Sequence, residues 1–261
     1  MSQTERKLAV VTGASSGIGL ELARTAASDG FDLVIAADQP TLEEAAAELR
    51  EQGVVVDAMQ VDLSTLIGVQ DFVQFIRDKA QPVDVLIANA GIDKGHAFLD
   101  QTLEDGLQII DTNIRGTTAL IHILAKDMKS RGAGRILITS SIVGLMPGPF
   151  HAVYAASKAF LHSFSMALHE ELRDTGVTVT CLMPGPTDTP IYERADMLDT
   201  AVGQAGKADP AKVAEAGFGA MMNGERDVVP GLMNKVLTVA ANVVPSGVLT
   251  AVQAAATRPR K

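Results

Sequence analysis

The amino-acid sequence predicts an α/β fold, a doubly wound parallel sheet of about seven strands with helices on both faces. Three observations carry that expectation. Short β-branched runs alternate strictly with segments whose apolar residues recur every three or four positions. Several of the short runs are apolar throughout, the pattern of a parallel strand covered on both faces. Gly30, Gly53, Gly132 and Gly176 follow helical stretches, where a glycine ends a helix at low steric cost. In chain order the strand candidates are Leu8–Val11, Asp32–Ala36, Val54–Gln60, Val83–Ala88, Arg135–Thr139, Val177–Met183 and Asp227–Pro230. The helical candidates between them are Ile18–Ser28, Leu42–Gln52, Thr65–Lys79, Leu103–Arg131 and Val153–Thr175. Short links between parallel strands require right-handed crossovers.

Composition agrees with a folded α/β globule and narrows its partners. Of 261 residues 47% are hydrophobic, which excludes disorder, and 23 are glycine, which suits many turns. A formal net charge of −9 disfavours nonspecific nucleic-acid binding. The single cysteine, Cys181, excludes an intrachain disulfide and lies in the apolar run VTVTCLM, as a buried strand residue would. The five histidines are scattered, so no metal site is expected. The charged N-terminal residues run directly into a strand without the pattern of a signal peptide, which points to the cytoplasm. With no composition shift and no repeat, residues 1–261 read as one domain.

After the first strand comes Thr12-Gly13-Ala14-Ser15-Ser16-Gly17-Ile18-Gly19, opening into a helix. Glycines there let the backbone turn sharply and approach a pyrophosphate, and the helix N-terminus offers free N–H groups. The alternative is a tight turn without a ligand. Asp38 ends the second strand, 19 residues after Gly19. A carboxylate at that place accepts hydrogen bonds from ribose hydroxyls and repels a 2′-phosphate, and no Arg or Lys lies between Ala36 and Glu48. The cofactor expected is therefore NAD(H) rather than NADP(H), the alternative for Asp38 being a carboxylate that starts a loop. Asp62, beside Leu63, reaches an adenine amino group or caps the next helix, and both readings stand. Asn89-Ala90-Gly91 after the fourth strand keeps the floor beside a cofactor low, with Asn89 bracing the sheet.

Ser141, Tyr154 and Lys158 carry the chemistry. Lys158 follows Tyr154 by four residues, so on a helix the two side chains share a face. An ammonium beside a phenol favours the phenolate and brings an ordinary pKa near ~10 toward the working range. The Ser141 hydroxyl can donate to a substrate oxygen on which negative charge develops.

Together these residues resemble the short-chain dehydrogenase/reductase family. The matching motifs are Thr12–Gly19, Asp62, Asn89-Ala90-Gly91, Asn113, Ser141, Tyr154-Ala155-Ala156-Ser157-Lys158 and Pro184-Gly185-Pro186-Thr187-Asp188-Thr189. The resemblance implies a Rossmann-like three-layer fold and hydride transfer between a nicotinamide cofactor and an alcohol or ketone. It implies that Tyr154 is the general acid/base and that Lys158 lowers its pKa and holds the nicotinamide ribose. Ser141 would polarise the carbonyl, with Ser140 and Thr139 as alternatives. Asn113 would hold a water in a proton relay; as a bare residue it reads as a polar side chain that perturbs a helix. Pro184, Gly185, Thr187 and Thr189 would line the nicotinamide site.

Substrate choice is expected in three segments. Between Ser141 and Tyr154 lie Met146, Phe150 and His151, the last either facing the substrate or exposed at a helix start. Residues 190–208, with Ile191, Arg194 and Met197, lack a strand pattern and read as a lid over the substrate. Residues 231–261 form an extended apolar tail, read as short amphipathic helices that pack on the core or a neighbouring subunit, or touch a membrane surface. Lys235 and Asn242 argue against a membrane span. Met146, Phe150, Ile191 and Met197 suggest a medium-sized apolar substrate. The expected activity is that of an NAD(H)-dependent secondary-alcohol dehydrogenase or ketone reductase. The alternatives are an NADP(H)-dependent 3-oxoacyl or general carbonyl reductase and a noncatalytic dinucleotide-binding regulator. The resemblance implies a homodimer through the long helices, or a homotetramer.

Overall fold

A computed structural model describes residues 6–231, 234 and 244–260. The chain runs β1 (Leu8–Thr12), α1 (Gly17–Ser28), β2 (Asp32–Ala37), α2 (Leu42–Arg50), β3 (Val56–Gln60), α3 (Leu66–Arg77), β4 (Val83–Ala88) and α4 (Leu103–Ile109). A π-helical segment, Ile110–Gly116, joins α4 to α5 (Thr117–Arg131), and β5 (Gly134–Thr139) and a 3-10 turn (Ile142–Leu145) follow. The remainder is α6 (Ala152–Glu171), β6 (Val177–Leu182), α7 (Ile191–Arg194), α8 (Ala201–Gln204), α9 (Pro210–Met222), β7 (Asp227–Val228) and α10 (Ser246–Thr257).

All seven strands are parallel, in the order β3-β2-β1-β4-β5-β6-β7. Successive residues of β1 serve opposite layers: Ala9 and Val11 join the core with α1, α2 and α9, and Leu8 and Val10 join the core with α3, α5 and α6. Two buried faces are why the strands read as unbroken apolar runs. The winding reverses between β1 and β4, and the crevice at that switch point is where open α/β sheets bind ligands.

Three elements depart from the sequence reading. The helix expected over Leu103–Arg131 is interrupted by the π-helical turns, which carry Asn113 inward to 0% exposure. A further helix that the sequence reading does not predict, α9, starts with Asp209 accepting from Ala211 N at 2.9 Å and Pro210 in the first turn. The last strand stops at Val228, two residues before Pro230, which has no N–H to extend a ladder. Lys235 and Asn242 of the tail lie outside the described residues. Among the described residues no helix is long and apolar enough to cross a membrane.

Candidate active site

Residues just past the C-terminal ends of six strands, β1 to β6, line one cavity of about 610 Å³. Its first half is the turn from β1 into α1. A Cβ added at Gly19 would lie 2.1 Å from Gly13 O and 2.4 Å from Asn89 Nδ2, so only glycine lets the turn fold this tightly. Gly17 has φ +58°, and a Cβ there would meet Thr189 Cγ2 at 2.9 Å. The Ser16 side chain does not cap α1, and no acidic residue stands in the first turn. Asn89 braces the arrangement as expected, with Nδ2 donating to Thr12 O at 3.3 Å and the Thr12 hydroxyl accepting from the Asn89 and Ala90 amides at 3.1 Å each. Open helix-terminal amides over a glycine floor fit a pyrophosphate.

Gly13, Ser15, Ser16, Gly17, Ile18, Gly19, Asp38, Asp62, Leu63, Asn89, Ala90 and Gly91 all line the cavity, as do Pro184, Gly185, Thr187 and Thr189. Asp38 is exposed directly after β2. Asp62 does not cap α3: its Oδ1 accepts from Ser64 N at 2.9 Å, and Thr65 accepts from Gly68 N at 2.9 Å as the cap. Arg194 on α7, which the sequence placed with the substrate, lies 3.3 Å from Ser16 Oγ, beside the glycine turn.

The second half of the cavity holds the residues expected to act as acid and base. Ser141, Tyr154 and Lys158 share the cavity wall, and Ser141 hydrogen-bonds the Tyr154 side chain. Thr139 and Ser140 line the cavity as well; the Ser140 hydroxyl donates to Lys158 O at 2.7 Å, and the Ser141 hydroxyl makes the longer bond to Pro184 O, 3.3 Å. Lys158 Nζ donates to Thr139 O at 2.9 Å and stands 5.5 Å from the Tyr154 ring centre. A Cβ built at Gly91 would lie 3.3 Å from both Lys158 Nζ and Asn113 Oδ1, so these two groups face one another across that glycine. Asn113 itself is locked: Oδ1 accepts from Ile92 N at 2.8 Å, and Nδ2 donates to Ile92 O at 2.9 Å and Ser157 Oγ at 3.0 Å.

Proton affinities differ from the sequence expectation. Tyr154 keeps some surface on the cavity, yet protein encloses the phenol closely, and desolvation pushes its pKa well above the ordinary value. Asp93 and Tyr192 push in the same direction, and the Ser141 hydrogen bond opposes them. Burial pulls Lys158 itself down to about 8, against the opposing charge of Asp93, which weakens the ammonium that was to stabilise the phenolate.

Met146, His151 and Ile191, expected as substrate contacts, line the cavity together with Met197 and with Leu249, Val252 and Ala256 of α10. Phe150 does not: its backbone sits at φ +64°, and its ring lies under the Arg258 guanidinium at 5.5 Å, outside the wall. His151 is not an exposed helix-start residue, for it is 5% exposed and stacks on Tyr154 with ring centres 5.8 Å apart. The sequence reading missed Asp93, buried beside His151, whereas α10 belongs to the tail that was expected to bear on substrate choice. Asp93 directly follows the Asn89-Ala90-Gly91-Ile92 turn, the one local signal of its position.

Fold, switch-point cavity and glycine cradle define a dinucleotide-binding α/β protein. The family model for short chain dehydrogenases matches residues 7–198. An uncharacterised oxidoreductase of Staphylococcus saprophyticus is 35% identical over 223 residues, covering 85% of this chain and 93% of its own. A putative ketoacyl reductase of Streptomyces coelicolor is 35% identical over 194 residues, 73% of this chain and 74% of its own. Among solved structures, a short-chain dehydrogenase from Sphingobium yanoikuyae in complex with NADPH superposes with a TM-score of 0.82 at 31% identity, covering 93% of this chain and 94% of that one. One from Burkholderia phymatum in complex with NAD gives 0.80 at 25% identity, covering 92% and 94%. The chain belongs to the short-chain dehydrogenase/reductase family.

Proposed function

We propose that this one-domain protein is an NAD(H)-dependent oxidoreductase that interconverts a secondary alcohol and a ketone on a medium-sized apolar substrate. The observation that carries the reading is that Ser141, Tyr154 and Lys158 open onto the same cavity as the glycine cradle. Asp38 past β2 supports NAD(H) over NADP(H). A bound nicotinamide dinucleotide would supply or accept the hydride. Gly13–Gly19 would hold its pyrophosphate, Asp38 its adenosine ribose, and Lys158 and Thr189 its nicotinamide end. For a ketone, Tyr154 as a phenol donates its proton to the carbonyl oxygen while the Ser141 hydroxyl donates a hydrogen bond to the same oxygen. For an alcohol, Tyr154 accepts the hydroxyl proton, and Asn113 and Lys158 form the route by which that proton leaves.

Met146, Ile191, Met197, Leu249 and Val252 give the substrate side its apolar character. Exposed Leu103, Leu107, Ile110 and Phe160 support a homo-oligomer built through α4 and α6, and the N-terminal pattern supports a cytoplasmic protein. Arg194 beside Ser16 and the ketoacyl reductase relative favour a second reading, an NADP(H)-dependent 3-oxoacyl or carbonyl reductase. Binding titrations with NADH and NADPH decide between the cofactors, tighter NADPH binding overturning the role given to Asp38. An NADH-linked screen across secondary ketones, steroids, sugars and acyl thioesters then identifies the substrate; no turnover with any class would favour a noncatalytic regulator.

A further inference from the structure

Asp93 and His151 are buried titratable groups that the proposed reaction does not use. Asp93 is 8% exposed in the turn after β4, and His151 is 5% exposed at the start of α6. The Lys94 amide donates to Asp93 Oδ1 at 2.7 Å, and Asp93 Oδ2 lies 3.5 Å from His151 Nδ1. Neither ring nitrogen of His151 has a hydrogen-bond partner. The imidazole stacks on the Tyr154 ring at an interplanar angle of 26°. Burying a carboxylate beside an imidazole that has no hydrogen-bond partner is costly.

The other charges nearby do not neutralise Asp93. Lys94 Nζ is turned away to Asp105 at 3.3 Å, and His96 is taken by Asp196 at 2.9 Å. Lys158 on α6 donates to Thr139 O, and with its pKa drawn down to about 8 against the attraction of Asp93 it is neutral over the alkaline range in which a phenolate forms. Tyr192 on α7 and Cys181 on β6 are both held protonated by burial, and Arg258 lies over Phe150.

We propose that Asp93 is a positioning residue that sets the proton affinity of Tyr154, acting across the buried imidazole of His151. The inference rests on the reading of Tyr154 as the acid/base. An ionised carboxylate held in the protein disfavours a second negative charge on the neighbouring phenol, so Tyr154 keeps its proton and is poised to donate it to a carbonyl. His151 is the wedge that fixes the distance and the ring plane. A protonated imidazole would cancel the carboxylate's charge, whereas a neutral one leaves it in force.

The composition allows a direct test. The chain has two tyrosines, Tyr154 and Tyr192, and no tryptophan. In a Tyr192→Phe background the near-ultraviolet phenolate absorbance therefore reports Tyr154 alone, with circular dichroism marking loss of the fold. Adding Asp93→Asn should bring the phenolate in at a pH lower by about one unit, the scale of one buried charge nearby. Asp93→Ser carries the same expectation should the Asn variant not fold. Asp196→Asn, which removes a charge that is 88% exposed, should leave the titration in place. His151→Phe keeps a ring on Tyr154 and the carboxylate behind it, so the phenolate should stay at the parental pH or above. Phenolate appearing at the same pH with and without the Asp93 charge overturns the proposal. So does a fall in His151→Phe as large as that in Asp93→Asn, which would assign the effect to packing. The titration needs no substrate, so its failure leaves the acid/base reading standing; that reading fails separately if Tyr154→Phe keeps its turnover.

Discussion

Asn113→Ala isolates the polar clamp at the bottom of the site. The native amide satisfies both backbone groups of Ile92 and the Ser157 hydroxyl from a position with no solvent access. Alanine removes all three bonds and leaves the Ile92 N–H and C=O without those partners. Each orphaned buried polar group costs about 1–3 kcal/mol, and Ile92 is only half-buried on the cavity, so the loss for two groups should be about 2 kcal/mol. Against a typical stability of about 5–15 kcal/mol that is a large fraction. Urea unfolding followed by circular dichroism reads it as a lower midpoint at unchanged slope. Turnover should fall as well, because Ile92 leads directly into Asp93 and the cavity wall. A stability loss below about 1 kcal/mol would refute the argument that this amide pins the turn after β4. Asn113→Asp should be no better than Ala, since a carboxylate cannot donate to Ile92 O or Ser157 Oγ.

Tyr154→Phe should keep dinucleotide binding, measured by NADH fluorescence, and lose about 10²–10⁴-fold in turnover, the usual worth of a general acid/base; near-normal turnover would reject the role. Asp38→Ala should narrow the ratio of NADH to NADPH affinity, and an unchanged ratio in paired titrations would show that selectivity lies elsewhere. Burial pushes the Cys181 thiol up to about 12 from an ordinary value near 9. Its contribution to stability is therefore complete below about pH 9 and is lost as pH rises toward about 12, because the unfolded chain releases the proton first. Urea midpoints measured across that window should fall less steeply in Cys181→Ala, and equal slopes would contradict the assignment.

Legibility in the sequence followed the range of the interactions involved. Strands such as Val83–Ala88 were readable because burial on both faces leaves an unbroken apolar run. Ser141, Tyr154 and Lys158 were readable because one helix turn and one strand end set their spacing. The π-helical turn at Asn113 was not, because its cause is a set of hydrogen bonds to a turn 21 residues earlier. His151 and Asp93 meet only after the crossover between β4 and α6 has been made, and no local pattern announces a partner so far along the chain. Phe150 misled for a related reason: its hydrophobicity suggested a pocket wall, whereas its left-handed backbone turned it toward Arg258. The helix at Pro210–Met222 does carry a local signal, the Asp209-Pro210 start.

The substrate wall is tied together at its outer edge. Thr257 on α10 donates to Pro149 O at 2.8 Å, and Arg260 reaches Gln204 at the end of α8 at 2.7 Å. These joints bind the tail, the residues ahead of Tyr154 and the stretch after Thr189 to one another rather than to the sheet. The cofactor cradle, in contrast, is framed by the strand ends themselves. Such a division lets the two halves of the cavity change at different rates over evolutionary time. A new substrate preference can arise by exchanging the outer ring of segments while the glycine-turn floor, and the core beneath it, stay as they are.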